Sequence, residues 1–402
     1  MSGDGSDKVP PAMATDSRGA APATDVAAVV VGAGPAGLAS AACLKRRGID
    51  AVVLEAGADV GTSWRNHYRR LHLHTPKEHS HLPGLPFAAG VPRYPSRAEV
   101  VAYLEQYAAA HAIVPRANDP VRRIAGDGDC LAVDSARARY RAPIVVVATG
   151  FNRVPNPDPL PDLPRFRGEI VHAGQYRDGA PFAGKRVLVV GAGNTGAEIA
   201  LDLVEHGASS TLSVRSPVNV VPRDVLGIPM LVTTLRLRGL PTKLVDFIGR
   251  TVARLVFGNL ARFGLPRPAL GPLSSVKLRG RIPLIDVGTV AAVKRGAITV
   301  KPALAGFTES GARFVDGSAG DVDAVVIATG YRPALGDIVA VPGALDDAGC
   351  PRGWNAGAAH PGLYFVGFKN VATGLLREIG LQAEAVAAHA AAQAAGRAAR
   401  PG

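Results

Sequence analysis

Two glycine clusters, and the residues that end the strands after them, give this sequence the means to hold a dinucleotide. Gly32-Ala33-Gly34-Pro35-Ala36-Gly37 follows an apolar run that begins at Val26 and precedes a small-residue stretch that stops at Gly48. The spacing predicts strand, tight turn and helix. Gly32 makes the turn, Gly34 lets the backbone approach a pyrophosphate, and Gly37 lets the helix lie close on the sheet. The free N–H groups of the helix start, with Pro35 and Ala36 in its first turn, then face the phosphates. The next predicted strand, 51–54, ends in Glu55, eighteen residues after Gly37, where a carboxylate accepts hydrogen bonds from ribose hydroxyls. A purely structural glycine turn is the competing reading, and the strand, helix and acid together argue against it.

The pattern recurs downstream. The run from Lys185 to Val190 enters Gly191-Ala192-Gly193-Asn194-Thr195-Gly196, and a predicted helix through Ile199, Leu201 and Val204 stops at Gly207. The following strand, 211–214, leads into Arg215 and Ser216 where the first unit has Glu55. An acid suits free ribose hydroxyls, whereas Arg and Ser accommodate a 2′-phosphate, so NADPH is assigned to the second unit. A solvated surface arginine is the alternative. Two apolar strands also share an ending, Ala148-Thr149-Gly150 and Ala328-Thr329-Gly330-Tyr331. Such a strand reads as buried and parallel, its tip abutting a ligand or a domain crossover.

Residues 57–95 read as an irregular loop with Trp64, Arg65, Thr75 and histidines at 67, 72, 74 and 79. On a strand, His72 and His74 would share one face, but no third ligand is placed beside them and no metal site is expected. A loop lying across a bound cofactor is the preferred reading. Ser96-Arg97-Ala98-Glu99 predicts a capping box and a helix whose apolar side is Val100, Val101, Tyr103, Leu104 and Tyr107. Short strands are expected from Val121 to Gly150, and a last strand ending at Gly367 precedes a helix through Ile379 and Val386. Val121 and Gly367 complete the candidate cofactor contacts. Between residues 224 and 263 an amphipathic segment carries Leu244, Val245, Phe247, Ile248, Val252, Leu255 and Val256 with Arg250, Arg254 and Arg262 interspersed. A packed helical insertion over the substrate side is expected there, with a helix lying on a membrane surface as the alternative.

Composition supports this organisation. In 402 residues, 47% are apolar and only 5% aromatic, an excess of Ala and Val that suits helix–sheet packing. The formal charge of +12 is spread without a run of five basic residues, so no nucleic-acid partner is expected. Residues 26–44 carry no charge, but three glycines and Pro35 divide them as strand, turn and helix, and no stable membrane insertion is expected. Cys43, Cys130 and Cys350 are far apart with no Cys-x-x-Cys, which fits a reducing, cytoplasmic setting and argues against a disulfide-reductase mechanism. The first 25 residues lack a signal-peptide pattern and read as a disordered tail.

Between the two glycine units lies Phe166-x-Gly168-x-x-x-His172-x-x-x-Tyr176. This spacing resembles the fingerprint of the flavin-containing monooxygenases; the Baeyer–Villiger variant has Trp where Tyr176 stands. With VVVGAGPAGLASAACLKRRGI, LHLHTPKEHSHLPGLPF, YPSRAEVVAYLEQYA, KRVLVVGAGNTGAEIALDL, IPLIDVGTV and DAVVIATGY in order, the chain is most similar to the YUCCA branch, the plant indole-3-pyruvate monooxygenases, and its bacterial relatives. The resemblance spans nearly all of residues 26–390 and implies an α/β fold of two Rossmann-like domains. An FAD domain at 26–164 and 330–395 would receive an inserted NADPH domain at 165–329, with a second tail at 396–402. It implies FAD at Gly32 to Glu55, NADPH at Gly191 to Arg215, and capture of O2 by reduced flavin as a C4a-(hydro)peroxide that oxygenates a small organic substrate. N- or S-oxygenation and oxidative decarboxylation of a 2-oxo acid both stay open. An NADPH-dependent flavin oxidase or reductase, or a redox-sensing flavoprotein, would share both sites but would not require the fingerprint.

His74 takes a position that many family members fill with Asn. It would hydrogen-bond the flavin or its oxygen adduct, or tune proton delivery, with a satisfied loop histidine as the alternative. Phe166 and Gly168 would fix the interdomain crossing, and His172 and Tyr176 would register the nicotinamide site against the flavin. Oligomeric state is open, with a homodimer as the candidate assembly.

Overall fold

Apolar β-branched strands are stable only when both faces are covered, and the valine runs of this chain form the central strands of two parallel sheets. In the computed structural model, which describes residues 22–156, 159–357 and 360–398, Ala28–Val31, Val145–Val147 and Leu363–Phe365 are buried throughout. Together with Ala51–Leu54 they form a parallel sheet ordered Leu363–Phe365, Val145–Val147, Ala28–Val31, Ala51–Leu54. A second parallel sheet runs Ile298–Lys301, Ser209–Ser213, Arg186–Val190, Ala324–Ile327, Glu169–His172. In both, the strand feeding the glycine turn lies between its βαβ partner and the strand ending in Ala-Thr-Gly.

The repeat extends to single atoms. Gly32 and Gly191 have φ of +107° and +114°, and a Cβ would stand 2.7 Å from Ala148 O at Gly32 and 2.4 Å from Ala328 O at Gly191. A Cβ on Gly37 would lie 1.8 Å from Gly32 O, and one on Gly196 1.9 Å from Gly191 O. Before Gly34 and Gly193, by contrast, there is nothing within 4 Å. Each turn is therefore closed at its first and third glycines and open at its second, where the helix N-termini of Pro35–Lys45 and Asn194–Glu205 have no side-chain cap.

Each sheet also carries an antiparallel meander: Val121–Asp127, Cys130–Ser135 and Arg139–Ala142 for the first, Leu304–Phe307, Gly311–Phe314 and Ala319–Asp321 for the second. Between the sheets the chain crosses twice, and the crossings pair with each other as an antiparallel ribbon of Val154–Pro155 and Tyr331–Arg332. Asn156 fastens it, its backbone N–H donating to Gly330 O at 3.0 Å and its Nδ2 to Thr329 O at 3.1 Å. Both Ala-Thr-Gly tips thus end at the crossover.

The expected capping box forms: Ser96 Oγ accepts from the Glu99 N–H, and Glu99 Oε2 accepts from the Ser96 N–H at 2.7 Å, starting Arg97–Ala110. The long helix Leu375–Ala398 buries Ile379, Ala383, Val386 and Ala387 in the same core cluster as Leu38 and Ala42. Two tail boundaries shift. Thr24–Asp25 is a strand paired with Tyr140 and Arg141, because the edge of the first meander has backbone groups to satisfy, so the expected tail of 1–25 is not unstructured to its end. At the other terminus the helix continues past 395 to Ala398, favoured by its alanines. Residues 1–21 and 399–402 of the two expected tails lie outside the described residues.

Gly37→Ala and Gly196→Ala are expected to lower stability by about 1–3 kcal/mol through overpacking on a backbone carbonyl. Gly34→Ala and Gly193→Ala are expected to leave the Tm of the ligand-free protein unchanged. Thermal unfolding of the four variants checks the contrast, and four equal Tm values would remove the close-approach argument.

Candidate active site

The C-terminal ends of the first sheet open into a cavity of about 1050 Å³, at the upper end of what a single small-ligand site occupies, ~300–1,000 Å³. Gly32, Gly34, Pro35, Ala36 and Glu55 form one wall, and Ala148, Thr149, Gly150, Val121 and Gly367 another. Trp64, His74 and Thr75 reach it from the loop, and Asn194 and Tyr331 from the second unit. The buried Glu55 carboxylate braces the first turn from both oxygens, accepting the Ala33 N–H at 2.6 Å and the Gly57 N–H at 2.8 Å. Thr149 Oγ1 is a buried hydroxyl on the wall without a partner, the mark of a group that meets a ligand.

His74 is both on the cavity wall and satisfied. Its Nε2 hydrogen-bonds Glu198 Oε1 at 2.7 Å, and Glu198, on Asn194–Glu205, is only 3% exposed. A loop of the first unit is thereby held to a helix of the second. Beside it, burial and Glu198 push the Tyr68 phenol well above its ordinary value, and burial lowers the His67 imidazole. Two neighbours expected at the cofactor are placed elsewhere. His72 is not on the cavity wall, and its Nδ1 bonds Arg70 O at 2.7 Å. Arg65 likewise turns outward, its Nε donating to Val60 O at 3.0 Å and its guanidinium pairing with Glu105.

In the second unit the Asn194 amide grips the segment that follows the helical insertion, accepting from the Ile285 N–H at 2.7 Å and donating to Pro283 O at 3.1 Å. Gly191, Gly193, Thr195 and Gly196 lie at the tip of the second sheet, outside the cavity wall, with Ala328 against Gly191 and Gly330 at the crossing. Thr329 Oγ1 repeats the buried, unpartnered hydroxyl of Thr149. Arg215 is exposed, and Ser216 Oγ accepts from Arg281 at 3.4 Å. Arg281 escaped the sequence reading because nothing local relates it to a strand 65 residues earlier.

The fingerprint residues divide differently from expectation. Phe166 stacks obliquely on Phe307, ring centroids 5.6 Å apart, and a Cβ on Gly168 would lie 2.4 Å from the Phe166 ring and 2.6 Å from Asp323 O. They fix the edge of the second sheet against its meander, not the crossing. Tyr176 donates to Asp202 Oδ2 at 2.6 Å in the buried core of the second unit, where Tyr68 joins it. His172 does stand at the crossing: it meets the Tyr331 ring edge-on at 5.3 Å, accepts the Gly174 N–H on Nδ1 at 3.1 Å, and leaves Nε2 buried without a partner.

Residues 131–338 match the flavin-binding monooxygenase-like family model, and residues 29–225 match that of the pyridine nucleotide-disulphide oxidoreductases. The chain belongs to the flavin-binding monooxygenase-like family. It is 42% identical over 361 residues to the indole-3-pyruvate monooxygenase YUCCA1 of Oryza sativa subsp. japonica, covering 85% of this chain and 86% of that one. A flavin-containing monooxygenase from Stenotrophomonas maltophilia superposes with a TM-score of 0.71 at 26% identity, over 92% of this chain and 99% of that one. A steroid monooxygenase solved with NADP bound gives 0.73 at 20% identity, over 93% and 87%, which shows the shared fold. The chain is thus an NADPH- and O2-dependent flavoprotein monooxygenase with FAD and NADPH as cofactors.

The open second glycines, the braced Glu55 and the unpartnered Thr149 and Thr329 hydroxyls fit two dinucleotides. No redox pair accompanies them: Cys43, Cys130 and Cys350 are free, and burial pushes the Cys43 thiol up to about 11. Among the described residues no cluster of three or more His, Cys, Asp or Glu is placed to hold a metal ion, and no helix is long and apolar enough to cross a membrane.

Arg215→Ala and Arg281→Ala are each expected to raise the Michaelis constant for NADPH by about tenfold, the scale of a lost charged hydrogen bond, with that for NADH unmoved. Steady-state kinetics with both nucleotides checks this, and unchanged preference in either variant removes that arginine from the 2′-phosphate site.

Proposed function

We propose that this monooxygenase oxidatively decarboxylates a 2-oxo acid bearing an apolar, aromatic side chain. The observation that carries the proposal is the continuity of the cavity. One cavity is lined both by Gly34, His74 and Thr149 and by Met230, Leu231, Leu237, Val245, Ile248 and Val252, an apolar chamber. The helices Met230–Arg236 and Thr242–Phe257 form that chamber, in keeping with the expected insertion over the substrate side. The rice relative is named for indole-3-pyruvate, an acid of this class.

FAD, reduced by NADPH, supplies the activation of O2 when bound. The chain's own residues bind, orient and exclude water. The N–H groups behind Gly34 would hold the FAD pyrophosphate and Glu55 its ribose; the turn at Gly193 would take the second pyrophosphate, with Arg215, Ser216 and Arg281 for the 2′-phosphate. His74, held by Glu198, keeps a polar group at a fixed place on the wall, while Leu231, Ile248 and Val252 keep the chamber dry. In the net reaction a 2-oxo acid, O2, NADPH and a proton give the acid one carbon shorter, CO2, NADP+ and water. One oxygen atom enters the product and the other becomes water.

The paired crossings at Val154–Pro155 and Tyr331–Arg332 support an FAD domain interrupted by an NADPH domain, with the first junction nearer 150–156 than 164. Free cysteines and reliance on NADPH support a cytoplasmic setting.

A screen of indole-3-pyruvate, phenylpyruvate and aliphatic 2-oxo acids against tertiary amines, thioethers and N-heteroaromatics tests the proposal. One CO2 and one shortened acid per NADPH are expected from the aryl 2-oxo acids. Turnover of amines or thioethers alone would overturn decarboxylation, and NADPH use that yields only hydrogen peroxide with every substrate would favour an oxidase. His74→Ala and Glu198→Gln are expected to retain FAD yet release several-fold more hydrogen peroxide per NADPH. Unchanged coupling across pH in both variants would reduce the pair to a structural clamp.

A further inference from the structure

The apolar chamber contains a cation outside both glycine turns. Arg223, just after the strand Val220–Pro222, lines the same cavity as His74 and Thr149, with Val225, Ile228, Met230 and Leu231 beside it on the wall. Its guanidinium carbon sits 4.1 Å from the centroid of the Tyr94 ring, and its Nε donates to Asp224 Oδ2 at 3.1 Å. Asp224 Oδ1 in turn accepts from the Tyr94 hydroxyl, which burial and Asp224 together keep protonated. The arginine is therefore braced on its ring face and along its Nε edge. The side chain is 33% exposed, and its two terminal nitrogens make no hydrogen bond among the described residues.

The other arginine on that wall is committed: Arg153 donates to Ala334 O at 2.6 Å and pairs with Asp337. A fixed guanidinium in apolar surroundings is poorly hydrated, and its remaining planar N–H edge matches the two oxygens of a carboxylate. We propose that Arg223, oriented by Tyr94 and Asp224, is the carboxylate receptor of the substrate chamber, so that accepted substrates pair an anionic end with an apolar body. The proposal rests on the 2-oxo acid reading for the substrate's identity, but the recognition it describes applies to any arylalkyl carboxylate. Because the contact forms in the bound ground state, its loss acts on binding more than on turnover.

The test uses full-length holoenzyme and its Arg223→Gln, Arg223→Lys and Tyr94→Phe variants, with FAD content and Tm recorded for each. Indole-3-propionate, which lacks the 2-oxo group, and its neutral amide are titrated against the flavin absorbance spectrum. In Arg223→Gln the Kd of the carboxylate is expected to rise by about 10- to 100-fold while that of the amide stays put, with Arg223→Lys between the two and Tyr94→Phe weakening the carboxylate alone. Phenylpyruvate should show the same loss in KM with kcat changed little. An unchanged carboxylate Kd in Arg223→Gln, or equal weakening of acid and amide, would overturn the receptor. Selective loss of the carboxylate in an enzyme that turns over no 2-oxo acid would uphold the receptor and overturn decarboxylation instead.

Discussion

A backbone contact with no room for a side chain sets both nucleotide sites. The third glycine of each turn is pressed on the carbonyl of the first, and the first on the carbonyl of the Ala-Thr-Gly strand tip. That approach draws helix, turn and neighbouring strand together, so that the uncapped helix start and the open second glycine face outward from the sheet. Were the third position to carry a Cβ, it would stand 1.8 or 1.9 Å from the first glycine's carbonyl oxygen, so the helix would have to draw back and the phosphate-facing N–H groups would move with it.

The two units must also stand in a fixed relation, since a nicotinamide can reduce a flavin only face to face. Several contacts hold them, among them a bidentate ion pair of Arg70 with Glu205 at 2.7 and 2.9 Å. The paired crossings tie backbone to backbone, the Asn156 amide fastens the ribbon to the Thr329 carbonyl, and His74 reaches from the first unit to the buried Glu198 of the second. The last of these holds a histidine ring on the cavity wall while anchoring it to a carboxylate 124 residues away. A buried carboxylate stripped of that partner would keep only the Tyr68 hydroxyl beside it, so the clamp is structurally demanding as well as local to the cavity. Tyr176, by contrast, serves one unit, satisfying the buried Asp202 behind the second glycine helix.

The helical insertion gives the cavity its second character. Thr242–Phe257 turns Val245, Ile248 and Val252 inward and leaves Leu244, Phe247 and Leu255 exposed at 44%, 67% and 80%. One helix thus walls a dry chamber and presents an apolar outer face, and against that inner wall a single braced arginine such as Arg223 is conspicuous.

How much of this could be read from the chain alone follows from the range of the interactions. Glycine spacing, the strand-ending Glu55 and the Ser96 capping box are local patterns, fixed by helix and strand periodicity within a few tens of residues, and the sequence by itself determined them. The order of motifs likewise determined the family and its two cofactors. Only the tertiary structure decided that His74 faces the cavity while His72 does not, since His74 is held by Glu198 from 124 residues away and His72 by the local Arg70 carbonyl. It also brought Arg281 to Ser216 across 65 residues and Tyr94 to Asp224 across 130. Such pairings arise from how the crossings and the insertion fold back, and a side chain's neighbours at that distance leave no periodic trace in the sequence. The protein's class is written in local backbone requirements; the groups that would choose its substrate are set by long-range packing.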